Sequence, residues 1–282
     1  MSLQRYQYRL KTLSKLAMSP RDHEGLYLAA KEFKREDVIK HLSSEGASDE
    51  SDKANKVNII YPFYQYGAYS PYNPIKAEYY IPGSSLKGAL LPKGVNDTVK
   101  RSSRLMVDDI PVKGMDVRLN QLNKLQNMSE GRAEPIVLKE FFPNVAVEML
   151  EAECDYTGEL FYEGDLHTML QAAQQQTMCK LAQFIDKLGV VSDEILVDEN
   201  TKQHVDQLKK NIQSLIDDDR DRCILLLGGY KGLALSGEFK NVKFGKVDSA
   251  VYVDIKKDLP YGVVEIVDCQ EWSDPSANPK LT

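Results

Sequence analysis

Closely spaced cysteines are missing from this sequence. Cys154, Cys179, Cys223 and Cys269 lie 25, 44 and 46 residues apart, with no CxxC pair. His23, His41, His167 and His204 are equally scattered. Structural zinc needs soft ligands at short spacing, so no metal site is expected, and the thiols read as reduced. No apolar run approaches the ~18–20 residues of a membrane span. The opening MSLQRYQYRLK has no apolar stretch of the signal-peptide kind. A soluble, cytoplasmic protein without a membrane partner is the expectation. GxSxG, HExxH and EF-hand patterns are absent as well, and no catalytic residue or cofactor is expected.

What is present is a chain of 282 residues, 42% hydrophobic, with 42 acids against 36 bases and a net charge of −6. That is ample apolar content for a core, and the length allows one large domain or two modest ones. Residues 6–13 alternate as a first strand, and residues 34–41 read as a helix that Gly46 would stop. Residues 43–56 are almost entirely polar and read as a loop or disordered excursion. Residues 61–80 hold eight aromatics broken by Pro62, Pro71 and Pro74, which argues for an extended, turn-rich path.

Residues 145–162 suggest paired strands, with Gly158 in the hairpin turn. Two amphipathic helices follow. Asp165 would cap the first and Gly189 stop it; the second would run over 201–218, giving a helical hairpin. Residues 223–227 (CILLL) read as a buried strand, and residues 251–255 and 263–267 as closing strands. Strands at both ends and helices between indicate an α+β fold.

The first candidate site is residues 82–104, which carry Lys87, Lys93, Lys100, Arg101 and Arg104 against one acid, Asp97. The stretch has a local charge of +4, leaving −10 on the rest of the chain. Its Gly83-Ser84-Ser85-Leu86-Lys87-Gly88 segment offers amides, hydroxyls and an ammonium to phosphate oxygens. It is not a Walker A loop, because Lys87 precedes the second glycine. The ordinary alternative is a helix start with Ser84 or Ser85 as N-cap and solvated lysines. The second candidate is Gly228-Gly229-Tyr230-Lys231-Gly232, where glycines follow a buried strand and enclose an aromatic and a cation. Its ordinary alternative is a tight turn. The seven acids over residues 148–165 read as a solvated face.

The run Tyr79-Tyr80-Ile81-Pro82-Gly83-Ser84-Ser85-Leu86-Lys87-Gly88-Ala89-Leu90 resembles the IPGSSLKGA signature of the RAMP superfamily, RNA-binding subunits of type III CRISPR effector complexes. Tyr8 to Ser14 resembles the first RAMP strand, and Leu105 to Asp109 the strand and aspartate after the signature. The Gly228–Gly232 segment resembles the family's C-terminal glycine-rich loop, and Pro260 to Val264 its closing strand. Within the superfamily the match is to the fifth subunit of the type III-A (Csm) complex. Two positions depart: Ala17-Met18-Ser19-Pro20 stands where a His-Gly loop is usual, and Leu91 where the signature usually ends in arginine.

The resemblance implies a ferredoxin-like (RRM-like) α+β core with a second, partial related half and a helical insertion. The implied division is 1–163, with the signature loop at 79–91, then the helical hairpin 164–221, the glycine-loop strands 222–272 and a tail 273–282. It implies a non-catalytic subunit in antiviral defence, binding the guide crRNA near its 3′ end and aiding its maturation. Other RAMP and large subunits would be its partners. Gly83, Ser84, Ser85, Lys87, Gly88, Lys93, Lys100, Arg101, Arg104 and Gly228 to Lys231 with Gly232 would contact RNA. Two alternatives stand beside it: a RAMP-type metal-independent endoribonuclease relying on His23, and a protein scaffold without RNA contact.

Overall fold

The computed structural model describes residues 3–19, 25–43, 50–91, 104–126, 136–192, 197–218, 220–232, 235 and 251–272. The chain opens with β1 (Gln4–Thr12), β2 (Leu16–Ala17), β3 (Leu26–Tyr27), α1 (Arg35–His41) and α2 (Glu50–Lys56). Next come β4 (Ile59–Tyr61), β5 (Gln65–Tyr66), β6 (Glu78–Ile81), α3 (Gly83–Leu90), β7 (Leu105–Val107) and β8 (Ile110–Pro111). They are followed by β9 (Val117–Asn120), β10 (Leu122–Gln126), β11 (Val137–Phe141), β12 (Val145–Leu150) and β13 (Asp155–Tyr162). Last are α4 (Leu166–Ser192), α5 (Glu199–Ile216), β14 (Cys223–Leu226), β15 (Val251–Asp254), β16 (Leu259–Pro260) and β17 (Val263–Glu271). The fold is α+β, and its paired strands run antiparallel except for β4 beside β12.

The first sheet has the order β14-β17-β1-β13-β7. Strand β1 lies at its centre because its sequence alternates: Tyr6, Tyr8, Leu10 and Thr12 are buried, while Arg5, Gln7, Arg9 and Lys11 face outward. The buried row packs beneath α3 and the first turns of α4, through Leu86, Leu90, Met169 and Ala173. A second core joins Leu181, Phe184 and Leu188 of α4 with Val205, Leu208 and Ile212 of α5, above Leu125, Val251 and Val253 of the sheet β11-β10-β15-β16. The third sheet, β2-β12-β4-β3 with β9 also on β12, is reached directly from β1 through Lys15.

Several elements differ from expectation, each for a tertiary reason. Residues 50–56 of the polar stretch form α2, because Ala54 and the following Val57 are fully buried beside Val38 and Ile60; Gly46 lies outside the described residues. Gly158 is not in a turn. It sits inside β13 opposite Tyr8, and a Cβ there would lie 2.4 Å from the Tyr8 ring. The aromatic ring covers the glycine, and β12 and β13 belong to different sheets. Helix α4 runs through Gly189 to Ser192, since burial of Leu188 outweighs the roughly 1 kcal/mol that a helical glycine costs. Asp165 does cap that helix, accepting from the His167 amide at 3.0 Å.

The acid run is not uniformly solvated either. Glu148 on β12 is buried, accepting the Tyr79 hydroxyl at 2.5 Å and the Phe63 amide at 2.9 Å. It thereby fastens the proline-broken aromatic segment to the third sheet. Burial pushes the Glu148 carboxyl up to about 7, against the opposing pull of those hydrogen bonds. A carboxyl that holds its proton more tightly folded than unfolded stabilises fully below the ordinary carboxylate range, and this contribution is lost as pH rises to about 7. Urea melts should therefore show Glu148→Gln losing less stability than wild type between about pH 5 and about pH 7.5, by on the order of 1–3 kcal/mol. Parallel pH profiles would contradict this assignment.

Candidate nucleic-acid interface

The signature segment is a strand followed by a helix rather than an open glycine loop. Strand β6 delivers Ile81, Pro82 occupies the N-cap in extended conformation, and Gly83 to Leu90 wind as α3. Neither Ser84 nor Ser85 is the cap, because the cap falls two residues before Ser84, at Pro82, whose fixed φ of −63° suits the entry. Gly83 is buried against β7, and a Cβ there would lie 2.0 Å from the Val107 carbonyl oxygen. The Gly83 amide donates to Asp109 Oδ1 at 2.7 Å. An internal carboxylate therefore takes the first amide of the helix, where partial positive charge favours an anion.

Leu86 and Leu90 lock the other side of α3 into the first core. The opposite side is open: Ser84 and Gly88 are exposed, and Ser85 and Lys87 half-buried. No atom lies within 4 Å of the position a Gly88 Cβ would take, so the helix surface there is bare backbone. Lys87 makes no ion pair among the described residues. Arg104 is exposed and pairs with Glu163 Oε1 at 2.6 Å. Lys93, Lys100 and Arg101 lie outside the described residues, as does His23.

The second glycine segment follows β14, against which α3 packs. Gly228 has a φ of +74° and would place a Cβ 2.3 Å from the Ala17 carbonyl oxygen. The Gly229 amide donates to that same oxygen at 2.8 Å. Gly262 (φ +82°) lies as tightly on the Leu227 carbonyl, and its amide donates to the Lys15 carbonyl at 2.8 Å. These contacts set the loop rigidly. The Tyr230 ring stands edge-on to Tyr252 at 5.6 Å, and burial pushes its hydroxyl up to about 12. Lys231 Nζ turns back to the Leu226 carbonyl at 3.2 Å; burial lowers it to about 8, and Lys180 pushes the same way. Gly232 closes the segment half-buried. Of the two lysines framed by glycines, Lys87 is half-buried on the flank of α3, and Lys231 turns inward.

Three features escaped sequence reasoning. Lys15 is buried, donating to Asn120 Oδ1 at 2.8 Å while Asn120 donates to Glu151 Oε1 at 3.1 Å. Burial lowers this amine, with Glu151 and Asp254 opposing. The open face of the first sheet is laced with its own ion pairs: Arg5 with Glu159, Arg9 with Asp155 and Asp268, Lys11 with Glu265. The Arg5 and Arg9 pairs are partly or fully exposed and contribute little stability, whereas Lys11 reaches the buried Glu265; together they neutralise the cations of β1. Lys124, on β10, lies over the Phe141 ring at 3.9 Å. None is visible locally, because each depends on strands far apart in sequence. Among the described residues no three His, Cys, Asp or Glu side chains are grouped to hold a metal, and no helix is long and apolar enough to cross a membrane.

Neither a scan against protein-family models nor a search of curated proteins finds a match to this chain. The two glycines of α3 give opposite expectations. Gly83→Ala should destabilise by roughly 2–4 kcal/mol, since its methyl meets fixed backbone. Gly88→Ala, in open space within the helix, should stabilise by roughly 0.5–1 kcal/mol. Urea denaturation of the two variants distinguishes these outcomes.

Proposed function

We propose that this chain is a non-catalytic, RAMP-type RNA-binding subunit of a type III-A CRISPR effector complex. It would hold the guide crRNA near its 3′ end, aid its maturation, and meet other RAMP and large subunits in the cytoplasm. The observation that carries the reading is α3, whose glycine-serine-lysine side is open while its leucine side is locked in the core. Bare backbone at Gly88, hydroxyls at Ser84 and Ser85 and the ammonium of Lys87 form a surface that a sugar-phosphate strand can approach closely, without base-specific contacts.

The topology supports the ferredoxin-like part of the reading. Strands β17-β1-β13-β7 are adjacent and antiparallel, and in chain order they run β1, α3, β7, β13, α4, β17. Numbered in that chain order, the strands lie fourth-first-third-second, the order that a ferredoxin-like sheet would have, with β14 beyond β17. Asp109 also supports it: the aspartate after the signature strand reaches back to the first amide of the signature helix.

Lys87→Glu should weaken binding of single-stranded repeat RNA about three- to tenfold and lower the salt dependence by about one to two counterions, read by fluorescence anisotropy across a salt series. Wild-type affinity and slope in this variant would overturn the assignment of α3 as the RNA surface.

A further inference from the structure

The sheet β11-β10-β15-β16 has one face packed under the helices; the other packs partly on β12 through Leu122, Phe141 and Tyr252 and carries an unusual row. Lys139, Lys124 and Tyr252 are direct cross-strand neighbours on β11, β10 and β15, so their side chains share one face. Leu138, Leu125 and Val251 hold the opposite face in the second core. Phe141 is two residues beyond Lys139 on the same strand, and so on the same face. The Lys124 ammonium stands 3.9 Å from the Phe141 ring centre and 5.8 Å from that of Tyr252. Phe142 lies tilted against Phe141, with ring centres 3.9 Å apart, and is 56% exposed. Tyr230 of the second glycine segment adjoins Tyr252.

Two like charges placed directly opposite each other on a sheet are destabilising, and native sheets usually set an acid between or beside them. Here neither lysine makes an ion pair with a described residue; the nearest acid in sequence, Glu140, is on the other face and pairs with Lys53 at 2.9 Å. Burial lowers Lys124, and no acid acts to raise it. Two adjacent cations without a described carboxylate partner favour an anionic ligand, and the exposed Phe142 ring beside them is a flat apolar surface of the size of a nucleobase.

We propose that this face is a second contact for single-stranded RNA, with a phosphate between Lys124 and Lys139 and a base against the exposed Phe142 ring. The proposal rests on the RNA-binding reading above and lengthens its surface past the glycine loop. Labelled oligouridine binding to the full chain, followed by anisotropy across a salt series, tests it. Lys124→Gln/Lys139→Gln should weaken binding about tenfold and reduce the salt slope by about two, and Lys124→Arg should retain most of the affinity. Phe142→Ala, at an exposed ring, should lose at least about fivefold with the slope unchanged. If the double variant and Phe142→Ala bind as wild type does while Lys87→Glu is weakened, this face is overturned and α3 stands. If wild type binds no oligouridine, both proposals fall. Binding of a polyglutamate peptide in place of RNA would also overturn it, assigning the face to an acidic protein segment.

Discussion

At three glycines among the described residues, backbone rests directly on backbone. Gly83 lies on the Val107 carbonyl, Gly228 on that of Ala17, and Gly262 on that of Leu227. A side chain at any of them would force the two chains apart, because the opposing atom is a fixed carbonyl oxygen. The first contact seats α3 against β7 closely enough for Asp109 to reach its first amide. The other two bring β2, the end of β14 and the start of β17 into one knot, through which the chain passes from the first sheet to the third. Glycine here acts less as a hinge than as a spacer of zero thickness.

That use of glycine marks the limit of what the amino-acid order reveals. Alternation placed β1 because half of each strand residue pair is buried, and the amphipathic stripe placed α5 because one face alone meets the core. The run CILLL announced β14. Leu86 and Leu90, four apart, already carried the helical period of α3, yet Gly-Ser-Ser reads locally as a loop. Gly158 shows the same ambiguity: a glycine between β-formers signals a turn unless an aromatic across the sheet covers it, and Tyr8 is 150 positions away in the chain. The carboxylate of Glu148 belongs to an acid run by sequence and to a dry pocket by packing, where Tyr79, 69 residues distant, supplies its hydrogen bond. Lys231 read as an open cation because its partner is a backbone carbonyl that composition does not display. Lys124, Lys139 and Tyr252 meet only through strand pairing.

Charge distribution refines the picture that net charge distorts. The total of −6 conceals a basic stretch beside the signature. The fold adds a further partition: the arginines of β1 are matched by carboxylates of neighbouring strands, whereas Lys87, Lys124 and Lys139 have none among the described residues. Lys87 lies on a helix flank and Lys124 and Lys139 on one sheet face, within a chain whose total charge is acidic. In the reading proposed above, orientation would follow from repulsion elsewhere as much as from attraction there.

Helix α4 has a consequence for the molecule as a whole. Met169 and Ala173 near its beginning belong to one core, and Leu181, Phe184 and Leu188 further along belong to another. A continuous helix embedded in two cores links them, because the packing of each end helps hold the turns between. The sheet that carries the signature helix and the sheet that carries the lysine row thus share one helix as a common structural member.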